Sequence, residues 1–515
     1  MGQQFFTNDD TGDEVKAVID ANYAELYSSA RDASVYGFDP AASASVNTAA
    51  MQAALDVGGI ITVITPGTYE VNDTLQIGSN TALILSPGVI FKKTGDYCNV
   101  IINKGALTKT YNENILIDGL EIEVNSVDTD NNWPVETIRG QVAFYYVRYL
   151  TFLNFKCLDL DTFQFCFTIV KWEYVEFKNI HVEGSKDCFD VGVGHDGLWE
   201  DLYISTADDG FKLYGTDYAE ILTETGDIYN VTIRNYTDVQ FGASTTGFTL
   251  RLLYGSWADW LNGNSYKKSD MCINAGNLYH CYASDGGFPV NGTVAPVHGS
   301  GDVKGADGIT WHYLQACDFY KSDIYNVTLD NLRVTATRSA TVTGWFIDDT
   351  FMRAVYPGTE TLSKAYNLKI VNSILETNYA FQSFSNIKDI TFGNCTFNNV
   401  PIAVHCRPDW DYNDNLYVTF TGCIFKNAPN GNMTLIYSYM EGQLVDVSMA
   451  GCRYEDANYR LLVKNANSEI RIINLDVPVS DSDLSNNLSP SVGDMCRVVS
   501  GLYIYKAGGW VNLAV

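Results

Sequence analysis

The sequence predicts an all-β chain wound as a parallel β-solenoid. From residue 111 onward, segments of alternating apolar and polar residues recur, and this alternation is typical of strands with one buried face. Most segments carry Asn, Asp or Gly near the same phase, and the shorter intervals between these anchors are 22 to 29 residues. A repeat of that length without helices indicates strands stacked coil on coil. The anchors lie at positions 119, 154, 179, 201, 235, 331, 372, 394, 422 and 451.

Longer intervals of 34, 35, 41 and 96 residues indicate coils with insertions, or weak coils between two anchors. The longest interval, from 235 to 331, requires an inserted segment, which we predict at about 251–320. Leucine-rich repeats have a similar period but would show the pattern LxxLxLxxN, which this sequence lacks. We therefore expect one β-solenoid domain over 35–475, with different structure at each end.

The two ends of the chain depart from the repeat. Apolar residues at helical spacing over 5–29 predict a separate helical segment within residues 1–34. A second short helix is predicted at about 47–57, with Asn47 as its N-cap and Gly58 as its stop. This helix would cover the open edge of the first coil. After a linker that contains Ser and Pro, residues 476–515 end in a small predicted β-module.

The composition limits what the chain can bind. It has 61 acidic and 33 basic residues and a formal charge of −28, which disfavours wrapping around nucleic acid or anionic lipid. The sequence shows no secretion signal and no long apolar run, so we expect no membrane insertion.

The 12 cysteines have no metal-binding spacing, and Cys395, Cys423 and Cys452 share one phase of the repeat. We interpret these three as a ladder of reduced core thiols. A disulfide or a metal site is the alternative. Reduced thiols fit assembly in a reducing cytoplasm.

Three aspartates are the strongest candidates for chemistry. Asp187 and Asp209 are 22 residues apart, as are the anchors Asn179 and Asp201 of the same two coils. Coils stacked at ~4.8 Å would place Asp187 over Asp209, with Asp208 beside them. Clustered carboxylates repel one another, which raises at least one pKa and supplies an acid at neutral pH. Glycoside hydrolysis needs one protonated and one ionised carboxyl. Turn capping and calcium binding are the structural alternatives.

Three stretches resemble proteins of bacteriophage tails. Residues 8–27 resemble a short element common in tail proteins, with Asp10 where that family has Gly. The order of helix, Gly-Gly, apolar strand and Pro-Gly-Thr-Tyr over 47–81 resembles the N-terminal cap of pectin-lyase-like right-handed β-helices. Residues 501–513 resemble the short C-terminal β-modules of tail proteins.

These resemblances imply a right-handed parallel β-helix in a phage tailspike. They also imply a homotrimer in the virion tail, assembled in the host cytoplasm and attached to other tail or baseplate proteins. Its target would be a bacterial surface polysaccharide.

The carboxylate stretch itself resembles the site of polygalacturonase-type glycoside hydrolases, on the motifs SKDCFDVG and TADDGFKLYG. That resemblance implies inverting hydrolysis without a cofactor or a metal. Asp209 would be the general acid, and Asp187 and Asp208 would activate the water. The family's Gly-His-Gly motif on the next coil is replaced here by GASTTG at 242–247.

Candidate substrate-binding residues surround this motif. Lys212 and Arg251 could hold a uronate or a sulfate, and His195 could replace the missing His. Trp257 and Trp311, on the predicted insertion, suit stacking on sugars. The alternative for both tryptophans is packing of the insertion against the β-helix.

Two other functions stay open from the sequence. A lyase acting on a uronate would need a base, for which Lys212, Tyr214 or Arg251 could be placed on the same face. Tyr214 is for the same reason a candidate substrate-binding residue. A tailspike that binds a polysaccharide without cutting it would show aromatic grooves but no strongly shifted Asp.

Overall fold

A parallel β-helix makes up most of the chain. The computed structural model describes residues 30–130, 138–217, 224–241, 247–335, 345–348, 363–377, 379–383, 387–406, 416–427, 432–438, 444–455, 460–465, 469–475, 495–498, 501–506 and 509–512. Within these ranges, one large sheet system is paired in parallel from coil to coil. The predicted right-handed parallel β-helix is confirmed. The helix predicted over 5–29 lies outside the described residues.

A short helix closes the N-terminal end of the coils. Helix α1 (Ala44–Val57) begins after Ser43, so the prediction of Asn47 as N-cap is wrong. Asn47 is instead buried within the helix, where its Oδ1 accepts a hydrogen bond from the Asp39 backbone N–H at 3.0 Å. Gly58 ends the helix as predicted, with a left-handed φ of 69°. The buried residues of the helix are Asn47, Ala50, Met51, Ala54 and Leu55.

The coils next to this helix are built from short strands and two 3-10 turns. The turns cover Ala33–Tyr36 and Lys104–Thr108. The strands are β1 (Arg31–Asp32), β2 (Gly59–Val63), β3 (Gly67–Val71), β4 (Leu75–Ile77), β5 (Thr81–Leu85), β6 (Val89–Lys93), β7 (Ile101–Asn103), β8 (Asn112–Asp118) and β9 (Glu121–Glu123).

The central coils combine four long strands with three short ones. They are β10 (Val142–Leu160), β11 (Phe167–Gly184), β12 (Phe189–Val191), β13 (Gly194–Thr206), β14 (Phe211–Tyr214), β15 (Ile228–Gln240) and β16 (Leu250–Leu253). β12 pairs with β11 and β14, and β14 pairs with β16, all in parallel. These coils hold all three candidate aspartates.

The predicted anchors occupy the corners. Asn179, Asp201 and Asn235 have φ values of 53–56°, a region that Asn and Asp tolerate better than other non-glycine residues. Their side chains also bond from coil to coil: Asn235 Nδ2 donates to Asp201 Oδ1 at 2.8 Å. Asn331 Nδ2 donates in turn to Asn235 Oδ1 at 2.8 Å. Each anchor of this ladder therefore has two roles: it accepts a positive φ at the corner, and its side chain makes a hydrogen bond to the next coil.

Stacked aromatic side chains fill the interior of the central coils. Phe189 stacks on Phe167 with ring centroids 4.7 Å apart and lies 5.0 Å from Phe211. Trp199 stacks on Phe177 at 5.7 Å. All five rings are fully buried. This packing fixes the register of the coils that carry the aspartates, because a one-residue slip would turn every ring outward.

An insertion between β16 and β24 forms separate small sheets. Its strands are β17 (Ala258–Asp259), β18 (Ser265–Tyr266), β19 (Met271–Asn274), β20 (Asn277–Ser284), β21 (Val290–Asn291), β22 (Asp302–Lys304) and β23 (Ile309–Ala316). Five of them make one sheet in the order β17-β19-β20-β23-β22, and β18 pairs with β21. Arg251 lies on β16, in the β-helix itself.

The helix resumes after the insertion. Its further strands are β24 (Ile324–Asp330), β25 (Arg333–Thr335), β26 (Trp345–Asp348), β27 (Ala365–Val371), β28 (Ile374–Glu376), β29 (Tyr379–Ser383), β30 (Asp389–Gly393), β31 (Thr396–Asn398), β32 (Ile402–Cys406), β33 (Leu416–Thr421), β34 (Ile424–Lys426), β35 (Asn432–Ser438), β36 (Leu444–Ala450), β37 (Arg453–Tyr454), β38 (Arg460–Asn465) and β39 (Glu469–Leu475). Cys395, Cys423 and Cys452 are free thiols buried in this part, as predicted.

The chain ends in a small antiparallel sheet. It consists of β40 (Met495–Val498), β41 (Gly501–Lys506) and β42 (Gly509–Asn512), which pair in sequence order. The predicted C-terminal β-module is thus confirmed. Among the described residues, no helix has the length and apolar character needed to cross a membrane.

The anchor ladder gives a test of the fold. Replacement of Asn235 by Val should destabilise the chain by about 2–3 kcal/mol. A β-branched residue is strained at this φ, and the hydrogen bonds of the Asn235 side chain are lost. Asn235→Gly loses the same bonds but accepts the backbone, so it should cost about 1–2 kcal/mol. Urea unfolding measures both. Equal losses in the two variants would refute the backbone requirement.

Candidate active site

The coil register brings the predicted aspartates together. Phe189 pairs with Phe211 across β12 and β14, and the turns just before these strands stack in the same register. The Cys188 backbone N–H donates to the carbonyl oxygen of Asp209 at 3.0 Å. Asp187, one residue before Cys188, therefore lies one coil away from Asp209, as the 22-residue spacing predicted.

Lys186 joins two of the three carboxylates. Its Nζ lies 2.6 Å from Asp208 Oδ2 and 3.4 Å from Asp187 Oδ1. Lys186 and Asp208 are also 22 residues apart, so the spacing that stacks the aspartates stacks this pair as well. The sequence analysis did not select Lys186, although the same rule identifies it.

Asp187 and Asp208 have opposite pKa shifts. Burial raises the pKa of Asp187 well above its usual value, with Lys186 opposing and Asp208 adding to the shift. Burial also acts to raise the pKa of Asp208, but the charge of Lys186 and a hydrogen bond from Asp187 outweigh it and lower that pKa. These shifts favour a protonated Asp187 that donates a hydrogen bond to the Asp208 carboxylate. The Asp208 side chain is also 34% exposed, against 6% for Asp187.

Asp209 is held by the next coil. Its Oδ1 accepts a hydrogen bond from the Phe248 backbone N–H at 2.9 Å, and its Oδ2 lies 3.4 Å from Arg251 Nη1. Burial raises the pKa of Asp209, Arg251 opposes this shift, and Asp208 adds to it. Gly247 allows the backbone before Phe248 to approach Asp208 closely, since a Cβ at residue 247 would lie 2.3 Å from the Asp208 carbonyl atoms. Its φ of 98° also favours glycine.

Lys212 is occupied by two other carboxylates. Its Nζ contacts Asp190 and lies 2.8 Å from Asp217 Oδ2, and all three side chains are buried. Burial acts to lower the pKa of Lys212, but the two carboxylates outweigh it and raise that pKa. Burial, with Asp217 nearby, raises the pKa of Asp190 to about 7 despite Lys212. Lys212 thus stays protonated, and its buried ion pairs with Asp190 and Asp217 stabilise the coils next to Asp187.

The predicted aromatic residues are placed in the interior. Tyr214 and Trp257 lie in one buried cluster between the β-helix and the insertion, and Trp311 lies in the core of the insertion. None of the three is more than 3% exposed. The Trp257 indole N–H donates to the carbonyl oxygen of Phe319 at 2.8 Å. These contacts match the packing alternative and leave no ring face of the three toward solvent.

His195 lies at the other end of strand β12 from Asp187. Its Nδ1 is 2.8 Å from Asp196 Oδ2, and its ring stacks on Tyr229 with centroids 4.8 Å apart. It lines a separate cavity of about 430 Å³. The stretch 242–246, where the family's His would fall, lies outside the described residues. In the described part of the chain, no group of three or more His, Cys, Asp or Glu is placed to hold a metal ion.

Comparison with known proteins gives similarity to solved structures alone. No protein-family model matches the sequence, and no curated protein matches it. Similar structures include the A-module of mannuronan C-5 epimerase AlgE4 from Azotobacter vinelandii, with 10% identity, 85% of this chain and 99% of that chain covered, and a TM-score of 0.46.

A hyperthermoactive exopolygalacturonase from Thermotoga maritima has 12% identity over 88% of this chain and 96% of its own, with a TM-score of 0.39. Tailspike protein 3 of bacteriophage CBA120 has 11% identity over 96% of this chain and 70% of its own, with a TM-score of 0.36. At these identities the similarity concerns the fold alone.

The buried cluster around Lys212 predicts a pH-dependent loss of stability. Lys212→Met removes the ammonium group that contacts the buried carboxyls of Asp190 and Asp217 and should cost about 3–5 kcal/mol above pH 7. The folded-state pKa of Asp190, already raised by burial, then lies further above the unfolded value of about 3.9. The folded state holds more protons, so stability falls as pH rises through this window and the loss shrinks toward pH 5.

Urea unfolding at pH 5 and pH 8 measures this difference. Lys178→Met is the matched control, because the side chain of Lys178 is 46% exposed and pairs with Glu200 at the surface. It should cost at most about 1 kcal/mol at either pH. A loss in Lys212→Met that is small or independent of pH would refute the assignment of Lys212 as the counterion of the two carboxylates.

Proposed function

We propose that the chain is a phage tailspike depolymerase that hydrolyses glycosidic bonds in a bacterial surface polysaccharide. The observation that carries this proposal is the pair of neighbouring carboxyls Asp208 and Asp209, whose pKa values are shifted in opposite directions. Adjacent titratable groups with pKa values pushed apart are the mark of an acid and base pair. An ionised and a protonated carboxyl are the two groups that glycoside hydrolysis uses.

Each carboxyl has a role in the proposed reaction. Asp209, as the acid, gives its proton to the glycosidic oxygen as the bond from that oxygen to the anomeric carbon breaks. Asp208, as the base, takes a proton from the water whose oxygen bonds to the anomeric carbon. Asp187 donates a hydrogen bond to Asp208 and so positions the base. The resemblance to polygalacturonases implies inversion at the anomeric carbon.

Cations beside the pair supply contacts for the substrate. Arg251 is 21% exposed and Lys186 is 26% exposed, and both border the acidic pair. Either side chain can donate a hydrogen bond to an anionic or hydroxyl group of the polysaccharide while it holds its carboxylate. Lys212 is enclosed between Asp190 and Asp217, and these buried ion pairs stabilise the coils that carry the acidic pair.

Hydrolysis is favoured over a lyase reaction because the candidate bases of a lyase are unsuited to that role. Lys212 is kept protonated by its two carboxylates. Tyr214 is fully buried, and burial raises its pKa well above the usual value. Arg251 carries a guanidinium, which is not deprotonated in proteins. By contrast, the neighbouring carboxyls of Asp208 and Asp209 are present, and the Asp208 side chain is partly exposed.

The tailspike context rests on the ends of the chain. Residues 8–27 and 501–513 resemble elements of phage tail proteins. A homotrimer in the virion tail, attached to other tail or baseplate proteins and directed at a surface polysaccharide, belongs to the same proposal.

Activity assays test the acid directly. Asp209→Asn should lower kcat by about 10²–10⁴-fold, since general acid catalysis contributes that much, while binding of polysaccharide persists. Release of reducing ends and the ultraviolet absorbance of an unsaturated product are followed together on the host's surface polysaccharide. Asp201→Asn, an exposed aspartate of the same coil, is the control and should retain activity.

Each other outcome has a definite meaning. Normal cleavage by Asp209→Asn would refute the assigned acid, and a rise in the absorbance would identify a lyase. Binding without either signal in the wild-type chain would identify a tailspike that does not cut.

The pH profile tests the base. Lys186 lowers the pKa of Asp208, so Lys186→Met should raise that pKa. If Asp208 must be ionised, the acidic limb of kcat/KM then moves to higher pH, and the alkaline limb moves less. Lys178→Met on the same coil should leave the profile in place. A lower rate with an unmoved acidic limb would show that Lys186 has a structural role only.

A further inference from the structure

A second concave site lies away from the carboxylate pair. The cavity of about 430 Å³ that contains His195 is lined by corner residues of successive coils and by the end of the insertion. Glu173, His195 and Tyr229 come from neighbouring coils, and Phe319 and Lys321 come from the insertion. Strand β12 separates it along the chain from Asp187. A cavity of this size between a rigid sheet corner and a loop is a suitable place for a small ligand.

The polar groups of the cavity are held in place by neighbouring side chains. The Asp227 carboxylate accepts a hydrogen bond from the Asp323 backbone N–H at 2.8 Å. Glu173 hydrogen-bonds Tyr111, whose ring also carries the Arg148 guanidinium at 4.2 Å from its centroid. Carboxylates fixed in this way are good acceptors for pairs of hydroxyl groups, because little freedom is lost when a ligand binds.

Aromatic rings form the walls. Tyr229 stacks between His195 and Tyr325, with centroid distances of 4.8 and 5.0 Å. Tyr111 and Phe319 are further aromatic residues of the lining. Rings next to fixed acceptors are the combination that recognises a sugar, whose C–H faces are apolar and whose edges carry hydroxyls.

We propose that this cavity binds a neutral sugar unit, at a point on the chain separate from the carboxylate pair. The choice of a saccharide as ligand rests on the proposed function. The site would hold the polysaccharide at a second position, so that the chain engages its substrate through two contacts rather than one.

The charge of the lining selects a neutral sugar over an acidic one. Glu173 and Asp227 both present carboxylates to the cavity. On the cationic side, Lys321 is paired with Asp323 at 2.6 Å, and Arg148 lies between Glu113 at 3.5 Å and Glu173 at 3.9 Å. With Lys171 included, the carboxylates in and beside the cavity still outnumber the cations. A uronate would therefore place a third negative charge here, and like-charge contacts are a common means of rejecting a ligand.

Saturation-transfer NMR with single sugars tests the proposal. The probes are methyl galactoside, methyl glucoside, methyl rhamnoside and N-acetylglucosamine, with galacturonate as the acidic comparison. At least one neutral probe should bind the wild-type chain with a dissociation constant on the order of 1 mM. Glu173→Gln should weaken that binding about tenfold, since a hydrogen bond to a charged group is lost. Tyr229→Leu, which removes a wall of the cavity, should weaken it too.

Two controls locate the binding. Glu176→Gln, three residues along the same strand, should bind like the wild type. Asp209→Asn should also retain the sugar signal, because the carboxylate pair is a different site. Cleavage by Asp209→Asn would count against the proposed function alone, since the cavity is judged by binding.

Four results would overturn the proposal. They are the lack of any neutral-sugar signal on the wild-type chain, unchanged binding in both Glu173→Gln and Tyr229→Leu, loss of the signal in Asp209→Asn, and galacturonate that binds as tightly as the best neutral probe in a manner dependent on Glu173. Thermal unfolding of each variant confirms that a lost signal comes from a folded chain.

Discussion

Parallel pairing of successive coils in one register is the constraint on which the rest of the structure depends. It places Phe189 between Phe167 and Phe211 in the core and links Asp201 to Asn235 at the corner. The same register acts on the outward-facing side chains, which have no hydrophobic reason to align. Interior packing therefore determines the geometry of the site, because a one-residue shift would disrupt every ladder at once.

The candidate active site arises because charged side chains occupy stacked positions on successive coils. Stacking in register puts Lys186 beside Asp208 and Asp187 one coil from Asp209. Like-charged groups at coil spacing would repel if all were ionised, so the cluster is stable only when cations or protons separate them. Lys186 and Arg251 supply the cations, and burial leaves Asp187 and Asp209 with their protons favoured. The difference between Asp208 and its neighbours follows from exposure and from Lys186 rather than from residue type.

The parts of the fold set by periodic burial could be predicted from the sequence. These were the coils, the corner anchors, the helix near 47–57 and the place of the insertion. The first residue of the helix was missed, because Asn47 resembles a cap locally but bonds to Asp39 in the folded chain. The three aspartates were found because spacing alone brings them together.

Other features of the site depend on long-range contacts that spacing does not contain. Lys212 was predicted to meet substrate, yet Asp217, five residues later, turns back to bond it. Trp257 and Trp311 were placed on a loop, and a loop with its own sheets buries its aromatic residues. His195 lies on β13, beyond the end of β12 that is far from Asp187, and lines the separate cavity instead. The period of the repeat identifies which residues stack at the same position of successive coils. The segments that connect the strands decide which of these side chains are exposed to solvent.

This division explains how one coil can serve two purposes. The turn before β12 carries Asp187, and the corner after it carries His195. The insertion leaves the helix after β16 and returns before β24, and its last residues, Phe319 and Lys321, wall the cavity by the corner. The carboxylate pair is instead bounded by residues of the coils themselves, such as Phe248 and Arg251. Changes in the insertion can therefore alter what the corner binds while the register that holds the acid and the base stays fixed.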